Sequence, residues 1–308
     1  MRLDSPRPMT SLSYATGPVT KPPNWHGLVA WDIFFNNLTT GLYLTAALGE
    51  TAAPAVFGTL ARAAYPVALA FLLADLVCLV IDLGDPMRFH HMLRVFKPGS
   101  PMSLGTWCLT AYSLPLTLIV AFDLLEALHW LPSGVAVLDG LRRLAVLAGL
   151  LPALGSATYK GVLFSTSSQP GWKDARWLGG YLTNAAVTLG CAELLLLASL
   201  LGQARAAAVL RRALALLLTL NLIPLGLLIS AVRPALRDVA SPARSIGTCA
   251  AVLALGSLIP LALLLAGEPR LAAGSTILIF IGNWMIRAWI VKRPHSMAAP
   301  PEHPGSRT

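Results

Sequence analysis

The sequence predicts an all-α integral membrane protein: eight transmembrane helices in two four-helix bundles. Three observations predict it. Of the 308 residues, 56% are hydrophobic and only 12% are charged, against about 25% charged in an ordinary soluble domain. Eight apolar segments each reach the length of about 20 helical residues that crosses a bilayer. Leu and Ala dominate them, without the alternation of a half-buried strand. Helices, which satisfy their own backbone hydrogen bonds in lipid, are therefore the expected form.

The elements follow in chain order. Residues 1–24 are polar and proline-rich and read as a disordered tail, without the apolar core and small-residue cleavage site of a signal peptide. The membrane domain, 25–292, holds spans at 28–48, 64–83, 105–123, 144–164, 178–201, 209–232, 248–267 and 274–291. Residues 293–308 form a second polar tail. Pro115, Pro152, Pro224 and Pro260 fall inside spans, where neighbouring helices can satisfy the freed carbonyls. "FFNNLTTGLYL" in span one and "YLTNAAVTLG" in span five share an Asn, Thr and Gly pattern. Two related four-helix halves would give that pattern; so would chance in helices rich in Ala, Leu and Thr. Eight spans put both termini on one side. That side, with the loops after spans two, four and six, carries 16 of the 23 Lys and Arg, which places it in the cytoplasm. The rule presumes that the charges serve topology rather than a partner.

Ionisable groups inside spans are costly, so they are functional candidates. Asp32 lies near the start of span one, Asp75 near the middle of span two and Glu193 well inside span five. Asp75 and Glu193 are candidates for proton transfer. Asn36, Asn37, Asn184, Asn221 and Asn283 fit interhelical hydrogen bonding. Asp123 and Glu126, near a span end, fit the interface with water. Cys78, Cys108, Cys191 and Cys249 are too scattered for a zinc site or an iron–sulfur cluster and read as small buried hydrophobes. The six histidines lie in tails, loops or span ends, so no facing pair is expected to hold haem. No phosphate-binding GxxxxGK[ST] loop occurs. The expected metal content is none, with no intrinsic haem or cluster. Any redox chemistry then uses a diffusible cofactor or a partner's.

The connection between spans two and three is more elaborate than a connector requires. "DLGDPMRFHHMLRVFKPGSPMSLGTW", 82–107, carries Asp82, Asp85, Arg88, two histidines, Arg94 and Lys97, punctuated by Pro86, Pro98 and Pro101. It resembles the signature of the NrfD/PsrC family, the polysulfide-reductase membrane subunits. That signature is D-L-G-x-P-x-R-F followed by S-P-M-S-x-G-x-W. "ATYKGVLFS" at 157–165 resembles the family's Y-T-G-V-L-L. "GWKDARWLGGYLTNAAVTLG" at 171–190 resembles the next segment, with its Pro-Phe-Trp-Asn run degenerate here. "WDIFFNNLTTGLYLTAAL" fits span one.

The resemblance implies a multi-pass subunit of a bacterial or archaeal inner membrane. It implies an anchor that exchanges electrons between the quinone pool and an iron–sulfur, ferredoxin-like subunit, and is not catalytically complete alone. The further partner implied is a molybdopterin catalytic subunit or a multihaem cytochrome, and the surroundings are membrane lipid; no nucleic acid is expected. The cofactor implied is a diffusible quinone or quinol, menaquinone or ubiquinone. Quinone-binding candidates are Asp32, Asp82, Arg88 and Tyr159. Tyr159 matches the family tyrosine. Asp32 falls where some relatives carry a quinone-contacting histidine, a departure from the pattern. Arg94, Lys97, Lys173 and Arg176 are candidates for meeting an acidic partner surface. Relatives often hold their partners outside the cytoplasm, which opposes the charge bias. Two other classes fit the residues: a proton-coupled transporter using Asp75 and Glu193, and a purely structural anchor.

Overall fold

Each predicted apolar segment lies mainly in helix; most helices begin before the predicted starts, while the predicted ends at Leu83, Leu201 and Gly267 fall just past the helices. The computed structural model describes residues 25, 27–169, 171–237 and 242–298; the first tail and residues 299–308 lie outside them. The elements are α1 (Gly27–Ala52), α2 (Pro54–Asp82), a 3₁₀ helix (Pro86–Leu93), α3 (Pro101–Ala127), α4 (Ala136–Ala148), α5 (Leu150–Ser165), α6 (Leu178–Leu200), α7 (Ala204–Arg237), α8 (Pro242–Leu253), a π turn (Ala254–Leu258), α9 (Ile259–Leu265) and α10 (Pro269–Ala298). No strand occurs among the described residues.

Five of these helices are long and apolar enough to cross a membrane: Pro54–Asp82, Pro101–Ala127, Leu178–Leu200, Ala204–Arg233 and Arg270–Lys292. The other three predicted spans are helical but differ in ways that have local causes. α1 has the length, yet Asp32, Asn36, Asn37, Thr39 and Thr40 lower its hydropathy. All five are buried, because α1 packs against α2, α5, α6 and α10 and is shielded from lipid. The segment 144–164 is split at Gly149. There Tyr43 donates its hydroxyl to the Val146 carbonyl at 2.8 Å, and Pro152 has no N–H to give Ala148. The segment 248–267 is α8 and α9 joined through the π turn, just ahead of Pro260.

Two groups of helices are joined through α1 and through the packing of α5 on α6. α1, α2, α3 and α5 pack among themselves, as do α6, α7, α9 and α10; α6 and α10 pack on α1. The crossing of α1 and α6 is unusually close. A Cβ on Gly41 would land on the Ala186 carbonyl, and one on Gly190 would land on the Gly41 backbone. Small residues at a crossing let helices in lipid approach by van der Waals packing, where no hydrophobic force drives them together.

Candidate functional site

The motif connection is held by its own residues. Ser100 caps the start of α3, accepting from Ser103 N at 3.4 Å, and Pro101 occupies the first turn, where its missing N–H costs nothing. The Ser103 hydroxyl accepts from Lys97 N at 3.0 Å and donates to Val95 O at 3.3 Å. Phe96 packs edge-on against Trp107, centroids 6.1 Å apart. The next connection is pinned by Trp172, 1% exposed. It donates to Ile290 O at 2.8 Å, stacks on Trp25 and meets Phe164 edge-on.

The first of these connections, through Leu83 and Met92, together with Trp25 and the ends of α1, α2, α3 and α5, lines a pocket of about 110 Å³ on the motif face. Asp32, Asp82, Tyr159 and Lys160 contribute its polar groups; Val29, Ile33, Leu79, Met92, Met102 and Phe164 belong to its apolar wall. Gly105 of the motif lies against the Tyr159 ring: a Cβ there would stand 1.9 Å from it. The glycine therefore keeps the phenol in place.

Behind the pocket mouth the polar groups continue into the bundle. Lys160 Nζ lies 2.8 Å from Asp32 Oδ1 and 3.1 Å from Asp75 Oδ1, and donates to the Asp32 carbonyl at 3.1 Å. The Asp32 contact is an ion pair without hydrogen-bond alignment, and leaves Oδ1 with no hydrogen-bond partner. Asn36 donates to Asp75 Oδ2 at 3.1 Å and reaches Ser156 Oγ at 3.0 Å. Asp75 is fully buried and Lys160 is 4% exposed. Asp75 sits seven residues before the end of α2, about 10 Å along the axis.

So the structure brings together Asp32, Asp82, Tyr159 and, through Lys160, Asp75. Arg88 is elsewhere. It lies on the exposed 3₁₀ helix, paired with Asp85 at 2.9 Å, and is not among the lining residues. Glu193 is buried in α6 with both carboxyl oxygens lacking a hydrogen-bond partner, and no hydrogen bond or ion pair joins it to Asp75 among the described residues. Arg94, Lys97, Lys173 and Arg176 are all exposed, beside exposed Met87, Phe89, Val95, Phe96 and Trp177.

Sequence reasoning missed three buried cations. Lys160 and Arg287 entered the count of charges flanking the membrane, and so did Arg142. Arg287, 1% exposed, donates to Asn37 Oδ1 and to Asn283 O. Arg142 grips both oxygens of Asp123, at 2.6 and 3.1 Å, and also bonds Glu50. Asp123 therefore belongs to a part-buried ion cluster at the opposite end of the bundle, which the half-exposed Arg62 also joins. For Lys160 the signal was present: a lone cation inside an apolar segment that neighbours other segments carrying lone carboxylates.

Fold and site together define a multi-pass helical membrane protein with a polar pocket at one membrane face. The family model for polysulphide reductase NrfD matches residues 19–287, and the chain belongs to that family. Its members are membrane subunits of redox complexes, which implies partner subunits for this chain. Comparison with curated proteins gave no match.

Proposed function

We propose that the chain crosses the membrane eight times, in two four-helix groups, and exchanges electrons between a diffusible quinone and an iron–sulfur partner docked on the motif face. The observation that carries this reading is the motif-face pocket, with Tyr159, Lys160, Asp32 and Asp82 set in an apolar wall. A quinone supplies chemistry in which two electrons move with two protons. A site for it needs an apolar slot, hydrogen-bonding groups for its two oxygens, and a way to carry protons.

The residues fit those needs. The Tyr159 hydroxyl can donate to a carbonyl oxygen or accept from a quinol hydroxyl. Lys160 offers donors only. Asp32 accepts a proton from a quinol, and the one ammonium facing two carboxyl groups leaves one of them able to take it up. Asp75 extends the set inward through Asn36. Glu193 stays a proton-carrying candidate on the single ground that its buried oxygens are unbonded among the described residues. The exposed apolar and cationic groups of the two connections suit an acidic partner carrying an iron–sulfur cluster, itself joined to a molybdopterin subunit or a multihaem cytochrome.

Tyr159→Phe and Asp32→Asn test the reading in the assembled complex. Each is expected to cut quinol turnover and quinone-analogue affinity roughly 3- to 10-fold, the worth of one hydrogen bond of about 0.5–1.5 kcal/mol. Wild-type turnover and affinity in both variants would move the quinone out of this pocket.

A further inference from the structure

The opposite membrane edge carries a second cleft that the proposed redox role does not use. It has a volume of about 300 Å³ and lies where the end of α6 meets the starts of α7 and α10. Ala198, Ala207, Ala208 and Ala272 form a smooth wall of short side chains, and Arg211 closes one end. The flanking residues Leu200, Leu201 and Val209 are exposed, as lipid-facing residues are.

The charge around this cleft is one-sided. Seven arginines belong to this side of the chain. Two of them, Arg62 and Arg142, are committed to Glu126, Asp123 and Glu50. Four of the others, Arg205, Arg211, Arg212 and Arg270, sit on the helix starts that frame the cleft, and none is ion-paired among the described residues. Glu268, the carboxylate of the adjoining turn, is exposed and makes no ion pair there either. The Gly267 carbonyl, in that turn, accepts from Arg211 Nη1 and so fixes the guanidinium. Its remaining N–H groups are available to an anion, and the fork geometry suits phosphate oxygens.

We propose that this cleft binds an anionic phospholipid of the surrounding bilayer, with its phosphate on Arg211 and an acyl chain along Ala198, Ala207 and Ala208. The apolar wall, the held guanidinium and the position at the ends of the spans each match one part of such a lipid. A soluble anion would use only the arginine.

The test is thermal unfolding of the full chain in nonionic detergent. Phosphatidylglycerol, phosphatidylcholine with the same acyl chains, and inorganic phosphate are added separately. Phosphatidylglycerol is expected to raise the midpoint about 2–4 °C above phosphatidylcholine, the shift that about 1 kcal/mol gives a chain of this size class. Arg211→Gln should remove that difference. Ala208→Leu should reduce it by filling the cleft from an exposed wall, without touching charge. Arg143→Gln, an exposed arginine of the same side on α4, should leave it intact. Equal shifts from both lipids, an equal shift from phosphate alone, or an undiminished shift in Arg211→Gln would each overturn the proposal.

Discussion

Lys160 is the residue on which the motif-face site turns. It stands between two buried carboxyl groups, and removing one partner of such a set leaves charge without compensation, at about 3–5 kcal/mol. Lys160→Met is therefore expected to destabilise the protein by that amount in thermal or chemical unfolding. Adding Asp32→Asn should recover part of the loss, because one of the two stranded carboxylates is gone; strictly additive losses would mean that the two residues are not coupled. Arg88→Ala should behave differently. Its guanidinium is exposed and paired with Asp85, so quinone-analogue affinity should stay within about fivefold, the most that losing a surface pair of up to about 1 kcal/mol could do. A larger loss of affinity would bring Arg88 into the site. Asp32, Asp82 and Tyr159 were legible in the sequence because their span ends share one face. Lys160 was not, because a cation near a span end reads as a topological charge until its depth and its partners are known.

At the scale of elements, two glycines permit close approaches that a side chain would block. Gly105 lets α3 pass the Tyr159 ring. Gly105→Ala is expected to displace the phenol, so that turnover falls in a properly inserted protein; turnover equal to wild type would show that the ring has room to move. Gly41 sets the crossing of α1 with α6. Gly41→Leu would drive a side chain into the α6 backbone, and the expected outcome is loss of monodisperse protein after detergent extraction. The existence of the helices was legible from the apolar lengths, while their internal breaks were not. The split at Gly149 depends on Tyr43 donating to Val146 from a helix about a hundred residues earlier, which no local window contains. The polarity of α1 likewise makes sense only once four other helices are seen to cover it.

At the scale of the whole molecule, charge governs how the motif face meets its compartment and its partner. The positive-inside bias survives correction for buried cations: Lys160 and Arg287 drop from the richer side and Arg142 from the poorer. A reporter fused after residue 308 is therefore expected to be active only in the cytoplasmic form, and activity of the external form would reverse the orientation. Four cations of the richer side, Arg94, Lys97, Lys173 and Arg176, are exposed on the two connections that follow α2 and α5. If they contact an acidic subunit, they act by long-range attraction, which salt screens over about 8 Å at physiological ionic strength. Reversing Lys97 and Lys173 to Glu together should then lower co-purification of the proposed iron–sulfur subunit several-fold, and raising salt should weaken the wild-type complex. Both substitutions lie on exposed side chains outside the pocket lining, so quinone-analogue affinity of the separated subunit should not change. Undiminished co-purification in low salt would assign these charges to topology alone and leave docking to the exposed apolar groups Met87, Phe89 and Trp177.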